Sequence, residues 1–248
     1  MTPRKKSRAT GAPGAAVVWE RPEPVRRPPP EALSRERIVR AAIALADAEG
    51  LGAVSLRKVG ASLEAGPMRL YGYLSTKEEL LDLMVDRVYE EMMSAGPLQG
   101  EWRAALRTLA HRTRRAAQEH PWFTELLGGR PHQGPNALAH LEASLAALSG
   151  PPGFEHIDTA LRAVWTVNAY VIGALQSEAS EQRAERDSGL NKTQWQRAHW
   201  PYLQRMLATG RFPALARAVQ DATPPAPDGV FDQGLDCVLD GLAARLLR

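Results

Sequence analysis

The chain has 248 residues, of which 44% are hydrophobic and 24% charged, close to the average for globular proteins, which excludes a disordered or fibrous chain. No apolar run approaches the ~20 residues of a membrane helix, and no hydrophobic stretch follows the basic N-terminal residues. We therefore expect a cytoplasmic protein. Cys237 is the only cysteine, which excludes an internal disulfide and a multi-cysteine zinc site.

The charges are unevenly distributed. Residues 1–75 contain 13 Lys and Arg against 7 Asp and Glu, whereas the remainder contains 18 against 21. This imbalance is typical of an anion-binding head on a neutral body, although an ordinary solvated surface fits the composition equally well.

Residues 1–33 are rich in proline and lack helical periodicity, which predicts a flexible arm. Such an arm serves either as a solubilising tail or, beside a DNA-binding head, as a contact to phosphates or a minor groove. Its basic residues are Arg4, Lys5, Lys6, Arg8, Arg21, Arg26 and Arg27.

From Ser34 the pattern is helical nearly to the end, with no alternating strand, which predicts an all-α fold. Ser34 caps a first helix that ends at Gly50. Ser55 caps a second helix, and Gly66 with Pro67 opens a very short third one, because proline is tolerated in a first turn.

The fourth helix has the clearest start. Both Ser75 with Glu78 and Thr76 with Glu79 have the spacing of a capping box, and the apolar positions that follow keep one face for three turns. Gly96-Pro97 ends this helix, which we predict to join the basic head to the rest of the chain.

The remaining helices form the body. One starts at Trp102 and is halted at Pro121, and another follows the proline- and glycine-rich loop at 128–136. Residues 158–180 are apolar on more than one face, which is typical of a helix buried in a core and against a second subunit. The segment 191–207 also looks helical but interrupted at its proline.

The last predicted helix, residues 229–247, carries Gly234 and Gly241 two turns apart, which would let a partner helix approach closely.

Two short helices joined by a tight turn and supported by a first helix form the unit that places its last helix in the DNA major groove. Phosphates need cations, hydroxyls or amides, and base edges need long donors. This chemistry predicts a helix-turn-helix DNA-binding domain at residues 34–80. The side chains that supply it are Arg57, Lys58, Arg69, Tyr71, Tyr73 and Lys77.

The stretch "SRERIVRAAIALADAEGLGAVSLRKVGASLEAGPMRLYGYLSTKEELLDLM" resembles the DNA-binding region of the tetracycline-repressor (TetR) family of bacterial regulators. It carries that family's Leu-Tyr-x-(aromatic)-x-x-x-Lys-x-x-Leu-Leu ending between Leu70 and Leu81. The resemblance implies a base contact at Arg57 and a specificity position at Arg69. The DNA-binding set is then Ser55, Arg57, Lys58, Pro67, Met68, Arg69, Tyr71, Tyr73 and Lys77.

Three positions depart from the family's pattern. Tyr73 replaces a frequent histidine, and Glu64 occupies a turn position that is usually glycine, followed by Ala65 instead of a branched residue. We expect Glu64 either to strain the turn or to be relieved by a shift of the turn towards Gly66, with a slightly displaced recognition helix.

The body resembles the tetracycline-repressor-like C-terminal domain through "EHPW" at 119–122, "GPNAL" at 134–138, "AYVIGALQSE" at 169–178 and "FDQGLDCVLDGLA" at 231–243. The resemblance implies an effector-binding and dimerisation domain at 81–248, a homodimer with a four-helix interface, and a palindromic operator. The interface residues it suggests are Trp165, Ile172, Gly173, Phe231, Leu235, Leu239 and Leu242.

An effector cavity should combine apolar walls with a few polar groups. Core packing is the alternative role for the tryptophans, and an inter-subunit hydrogen bond is the alternative for Asn168. The candidates are Trp122, Leu126, Leu127, Arg130, Leu141, Trp165, Asn168 and Tyr170.

No metal or cofactor is expected. The segment "LLGGRP" resembles the part of the tetracycline repressor in which a histidine helps to hold the drug-bound magnesium. Leu126 takes the position of that histidine. Tetracycline–magnesium is therefore not the expected effector, and no histidine pair has metal-ligand spacing.

These features predict a small-molecule-responsive transcriptional repressor that is not an enzyme. The chain lacks a Gly-x-Ser-x-Gly elbow, a phosphate-binding glycine loop and a His-Glu-x-x-His run. A helical enzyme and a small-molecule sensor that no longer binds DNA are the alternatives, and activation instead of repression also fits the same head.

Overall fold

The computed structural model describes residues 17–21, 33–223 and 229–246. Within these ranges the regular structure is entirely helical, which confirms the predicted all-α class, and no helix there combines the length and apolarity needed to span a bilayer. The α-helices are α1 (Arg35–Glu49), α2 (Leu56–Ser62), α3 (Pro67–Leu70), α4 (Lys77–Ser94), α5 (Trp102–Glu119), α6 (Pro135–Ala146), α7 (Ile157–Ser188), α8 (Lys192–Ala208), α9 (Pro213–Asp221) and α10 (Gly229–Leu246).

The chain forms two compact units. The N-terminal unit runs to Arg87 and includes residues 132–135, and the C-terminal unit contains residues 88–131 and the chain from Asn136 onward. The division falls inside α4, which therefore belongs to both units. From the sequence, the boundary was expected after residue 80, earlier in the same helix.

The helix starts of the N-terminal unit follow from local capping. Ser34 accepts a hydrogen bond from the amide of Arg37 at 3.1 Å, and Ser55 accepts one from that of Lys58 at 3.2 Å. At α4, Thr76 is the capping residue, because its Oγ1 accepts from the amide of Glu79 at 3.1 Å. These caps confirm the predicted starts of α1, α2 and α4.

The turn between α2 and α3 depends on a close backbone approach. The amide of Ala65 donates to the carbonyl oxygen of Gly60 at 2.8 Å. A Cβ at Gly60 would lie 2.7 Å from the carbonyl oxygen of Ala65, so only glycine fits there without movement of the turn. Leu70 and Leu74, both buried, then hold α3 against the other helices.

Glu64 carries the strain of this turn. Its φ is +53°, the one positive φ of a non-glycine residue in the described ranges, whereas Gly66 has an ordinary φ of −63°. Of the two expectations, strain at Glu64 is therefore the one observed, and the turn does not shift towards Gly66.

Part of the predicted flexible arm is folded onto the N-terminal unit, so that expectation is wrong for residues 17–21. These residues, called the strap below, form a turn in which the Glu20 amide donates to the Val17 carbonyl oxygen at 3.0 Å. The Val18 side chain is only 3% exposed. The other basic residues of the arm lie outside the described residues.

Residues 132–135 belong to the N-terminal unit because they lie on α4. The ring of His132 is 3.9 Å from the carboxylate of Asp82. A Cβ at Gly134 would collide with the carboxylate of Asp86, so any larger residue would displace that side chain. The same four residues lead directly into α6.

In the C-terminal unit, α7 packs against α5 and α10. A row of basic side chains on α5 faces aspartates on α10: Arg103 pairs with Asp240, Arg107 with Asp236, and Nε2 of His111 lies 2.9 Å from Asp232. Tyr170 of α7 covers Gly234 of α10 and donates to the Phe231 carbonyl oxygen at 2.7 Å.

Two expectations for the body need correction. Helix α8 runs through Pro201 without interruption, because the carbonyl that loses its partner lies on an exposed helix where water can bind it. The partner that approaches Gly234 closely is α7 of the same chain, whereas a Cβ placed on Gly241 would have no neighbour within 4 Å among the described residues.

We predict that Glu64→Gly raises the free energy of unfolding by about 0.5–1 kcal/mol, because glycine removes the strain at positive φ but adds freedom to the unfolded chain. Denaturant unfolding of the full chain measures this. Glu64→Ala is the control, since alanine keeps the strain and should give no gain. Equal stability of the wild type and Glu64→Gly would contradict the assignment.

Candidate nucleic-acid interface

Helix α3 presents almost all of its side chains to solvent. Leu70 is its only buried residue, while Met68 is 80% exposed and Tyr71 just beyond the helix is 51% exposed. Pro67 and Arg69 are also exposed. A very short helix held by one buried leucine and open on its other sides has a surface available to a partner.

The predicted cations of α2 and α4 lie on the two helices that flank α3 in the chain. Arg57 is exposed, and Lys77 is half-buried in the first turn of α4. Lys58 Nζ lies 2.8 Å from Oε2 of Glu49, an exposed ion pair that contributes little stability and can exchange for another anion. Ser55 uses its Oγ to cap α2.

Tyr73 differs from the other predicted phosphate contacts. Its hydroxyl donates to the carbonyl oxygen of Leu33 at 2.6 Å and the side chain is partly buried. The hydroxyl proton is therefore already used inside the unit. In this state Tyr73 ties the segment after α3 to Leu33, just before the Ser34 cap of α1, and its role as a donor to phosphate needs this bond to open.

One cation of this unit was not predicted, because Arg21 falls in the segment expected to be a flexible arm. Nη1 of Arg21 donates to Oγ of Ser75 at 2.7 Å, and its guanidinium forms an ion pair with Glu79. Its side chain is 30% exposed. The available signal was "VVW" at 17–19, three consecutive large apolar residues in a proline-rich segment.

The candidate effector residues are scattered in the C-terminal unit. Trp122 and Leu127 are buried and Leu126 is half-buried, whereas Arg130, Leu141 and Trp165 are exposed. Trp165 is 62% exposed and the Tyr170 hydroxyl bonds to α10, and neither residue lines the two cavities described next. Their effector role stays a prediction.

Two cavities of the C-terminal unit differ in size and enclosure. The first, between α5, α6 and α7, has a volume of about 10 Å³, room for a single water, and includes the polar side chains of Thr113, Ser144 and Asn168. The second has a volume of about 420 Å³. It is lined by the end of α6, the loop 149–155 and the start of α7.

Unpaired polar atoms are buried on α5 and α6, two of the helices that line the first cavity. Nε2 of His140 and Nη1 of Arg112 are both buried without a hydrogen-bond partner among the described residues. His140 lies one turn before Ser144 on α6, and Arg112 precedes Thr113 on α5. Desolvation by burial, with a smaller contribution from the charge of Arg112, lowers the pKa of His140 to about 4.

The predicted interface residues divide between two kinds of position. Phe231, Leu235 and Leu239 are already fully buried inside the chain, so they offer no surface to a second subunit, and their assignment is corrected. Leu242 and Ile172 are half-buried, and Gly173 and Trp165 lie on the exposed face of α7. On α10, the exposed apolar or small residues are Val230, Cys237, Gly241 and Ala244.

The described residues contain no group of three or more His, Cys, Asp or Glu side chains that could hold a metal ion.

A three-helix unit with an exposed short helix and flanking cations, connected by one long helix to a second helical unit, defines a helix-turn-helix DNA-binding regulator.

Comparison with known proteins agrees with this class. Residues 96–246 match the family described as "Tetracyclin repressor-like, C-terminal domain". The chain is 38% identical over 227 residues to the HTH-type transcriptional repressor DrrR1 of Streptomyces coeruleorubidus, covering 91% of this chain and 83% of the relative. It is 27% identical over 218 residues to the class A tetracycline repressor protein from transposon 1721 of Escherichia coli, covering 87% and 93%.

A solved structure of ActR, a TetR family protein of Streptomyces coelicolor in complex with actinorhodin, superposes with a TM-score of 0.72 at 27% identity, covering 87% of this chain and 99% of ActR. The chain belongs to the tetracycline-repressor (TetR) family. It is accordingly a ligand-responsive DNA-binding transcriptional regulator and not an enzyme.

The buried His140 predicts a pH dependence of stability. Its pKa is lowered from 6.5 in the unfolded chain to about 4 in the folded one, so the unfolded state binds more protons and stability falls as the pH drops below 6.5. Between pH 7 and pH 5 this group should cost about 2 kcal/mol.

Urea unfolding at the two pH values measures this loss, and His140→Gln provides the comparison because glutamine does not titrate. The wild type should lose more stability than the variant over this interval. An equal loss in both proteins would show that the imidazole is protonated, or accessible to water, in the folded state.

Proposed function

We propose that this protein is a homodimeric repressor of the cytoplasm that binds a palindromic operator and leaves it when a small molecule occupies the C-terminal unit. The observation that carries the proposal is the open surface of α3, which includes Arg69, with further cations at Arg57 on α2 and Lys77 on α4. The name of its relative DrrR1, a transcriptional repressor, supports repression over activation.

A palindromic operator requires a dimer. A twofold dimer presents two recognition helices about 34–36 Å apart, which matches successive major grooves on one side of the duplex. The exposed faces of α7 and α10 support this assembly, because Trp165, Gly173, Cys237 and Gly241 form apolar or small-residue surface that no part of the described chain covers.

The effector site proposed here lies between α5, α6 and α7. Thr113, Ser144 and Asn168 line a cavity there, and the unpaired atoms of His140 on α6 and Arg112 on α5 are buried at a cost in desolvation. A ligand that opens this cavity and pairs with them would recover that cost.

Residues 132–135 provide the connection to DNA binding. They pack on α4 through Gly134 and Asp86 and continue along the chain into α6. The effector can shift the equilibrium between two positions of the DNA-binding unit only to the extent that it binds one of them more tightly than the other. Because ActR was solved with actinorhodin, that compound is the first probe to test here.

The DNA contacts are tested by Arg57→Gln and Lys77→Gln. We expect Arg57→Gln to weaken binding to the operator roughly 5- to 150-fold, because base contacts contribute about 1–3 kcal/mol. Lys77→Gln should weaken binding to all sequences and lower the salt slope by about 1.

Fluorescence anisotropy with genomic fragments, including the region upstream of the protein's own gene, measures these effects. Lys192→Gln, at an exposed position of α8, is the matched control and should bind as the wild type does. Weak, sequence-indifferent binding by the wild type itself would overturn the repressor assignment and leave a sensor without specific DNA binding.

The dimer surface is tested by Gly241→Arg. The site is open within the chain, so the variant should fold normally, but the arginine should block close approach of a partner helix and convert the dimer to a monomer. Light scattering after gel filtration measures the mass. Ala139→Arg on the exposed side of α6 is the control, and a dimeric Gly241→Arg would exclude this face of α10 from the interface.

A further inference from the structure

The strap meets the N-terminal unit at the first turn of α4. The guanidinium of Arg35 in α1 donates to the carbonyl oxygen of Arg21 at 3.2 and 3.3 Å, which holds the end of the strap against the first helix. From there the Arg21 side chain reaches Ser75 and Glu79. The strap therefore joins two parts of the unit that are separated by about forty residues of sequence.

Glu79 has a structural role at the start of α4. Its Oε2 accepts a hydrogen bond from the Ser75 amide at 2.7 Å, while its own amide donates to Thr76, which completes the cap of α4. Burial by itself would raise the pKa of Glu79, but the hydrogen bonds from Arg21 and the Ser75 amide, with the charge of Arg21, hold it below its usual value. The group is a carboxylate at neutral pH.

A carboxylate at this position conflicts with the proposed contact of Lys77 with phosphate. It lies two residues from Lys77 in the first turn of the same helix, so a DNA backbone bound there would meet a like charge. Arg21 is the cation that the structure pairs with this carboxylate, and it comes from outside the helix-turn-helix itself.

We propose that Arg21 is a positioning residue for DNA binding, which neutralises the capping carboxylate of Glu79 so that a phosphate group can approach the N-terminus of α4. The inference rests on the proposed DNA-binding function of this surface. It assigns to the strap a part in operator recognition that no residue of the helix-turn-helix supplies, and its partner is the phosphate backbone, not a base.

The consequence of removing each charge follows from Coulomb's law. Arg21→Ala exposes the carboxylate to the phosphate and should weaken operator binding about tenfold at 0.1 M salt. Glu79→Gln keeps the cap, because glutamine also accepts the Ser75 hydrogen bond, and should bind as tightly as the wild type or tighter. The double variant Arg21→Ala/Glu79→Gln removes both charges and should return to within about threefold of the wild type.

Operator binding of these four proteins by fluorescence anisotropy tests the proposal, with thermal unfolding of each as the check on folding. Arg21→Lys retains the charge and should stay within about threefold of the wild type. Arg40→Ala, which removes an exposed arginine paired with Glu36 on α1, is the charge-matched control and should also stay within that range.

The salt dependence separates charge from structure. The loss of operator affinity in Arg21→Ala should shrink as salt rises from 0.1 to 0.5 M, because salt screens the repulsion between the Glu79 carboxylate and phosphate. If the substitution instead distorted the start of α4, the loss of affinity would persist at high salt. A double variant as weak as Arg21→Ala, or an Arg21→Ala protein that binds as the wild type does, would overturn the inference. Failure of the wild type to bind any operator would instead overturn the proposed function.

Discussion

The contact between Gly60 and Ala65 sets the geometry on which recognition depends. The amide of Ala65 bonds to the Gly60 carbonyl, and its own carbonyl lies where a side chain on residue 60 would stand. This close approach fixes where α3 begins relative to α2, and the buried side chains of Leu70 and Leu74 then hold α3 in place. The positive φ of Glu64 is the cost of a tight turn built from a residue other than glycine.

The N-terminal unit was predictable because its signals are local. Ser34, Ser55 and Thr76 cap helices through atoms three residues away, so spacing along the chain is enough to locate the starts. The contacts of Arg21 were not predictable in this way. They join residues more than fifty positions apart, and nothing in a proline-rich segment indicates which helix it meets.

The body shows a different limit. Hydrophobic periodicity located α7 and α10 but not their partners, since an apolar stripe looks the same whether it packs on its own chain or on a second subunit. Phe231 and Leu235 turned out to be internal, whereas Trp165 and Gly241 are open. The α5–α10 ion pairs also join helices far apart in sequence, although the row of aspartates on α10 was visible at helical spacing. The buried, unpaired nitrogens of His140 and Arg112 depend on packing alone and have no sequence signal.

The strap also gives the N-terminal unit an optical label. Trp19 is half-buried within it, with its indole nitrogen out of contact with solvent, and the other five tryptophans of the chain all follow residue 100. The emission of an indole shifts to longer wavelength when water reaches it. Replacing Trp19 by phenylalanine and subtracting the two emission spectra would therefore isolate the signal of the strap, and attachment of this segment could be followed while DNA or effector is added.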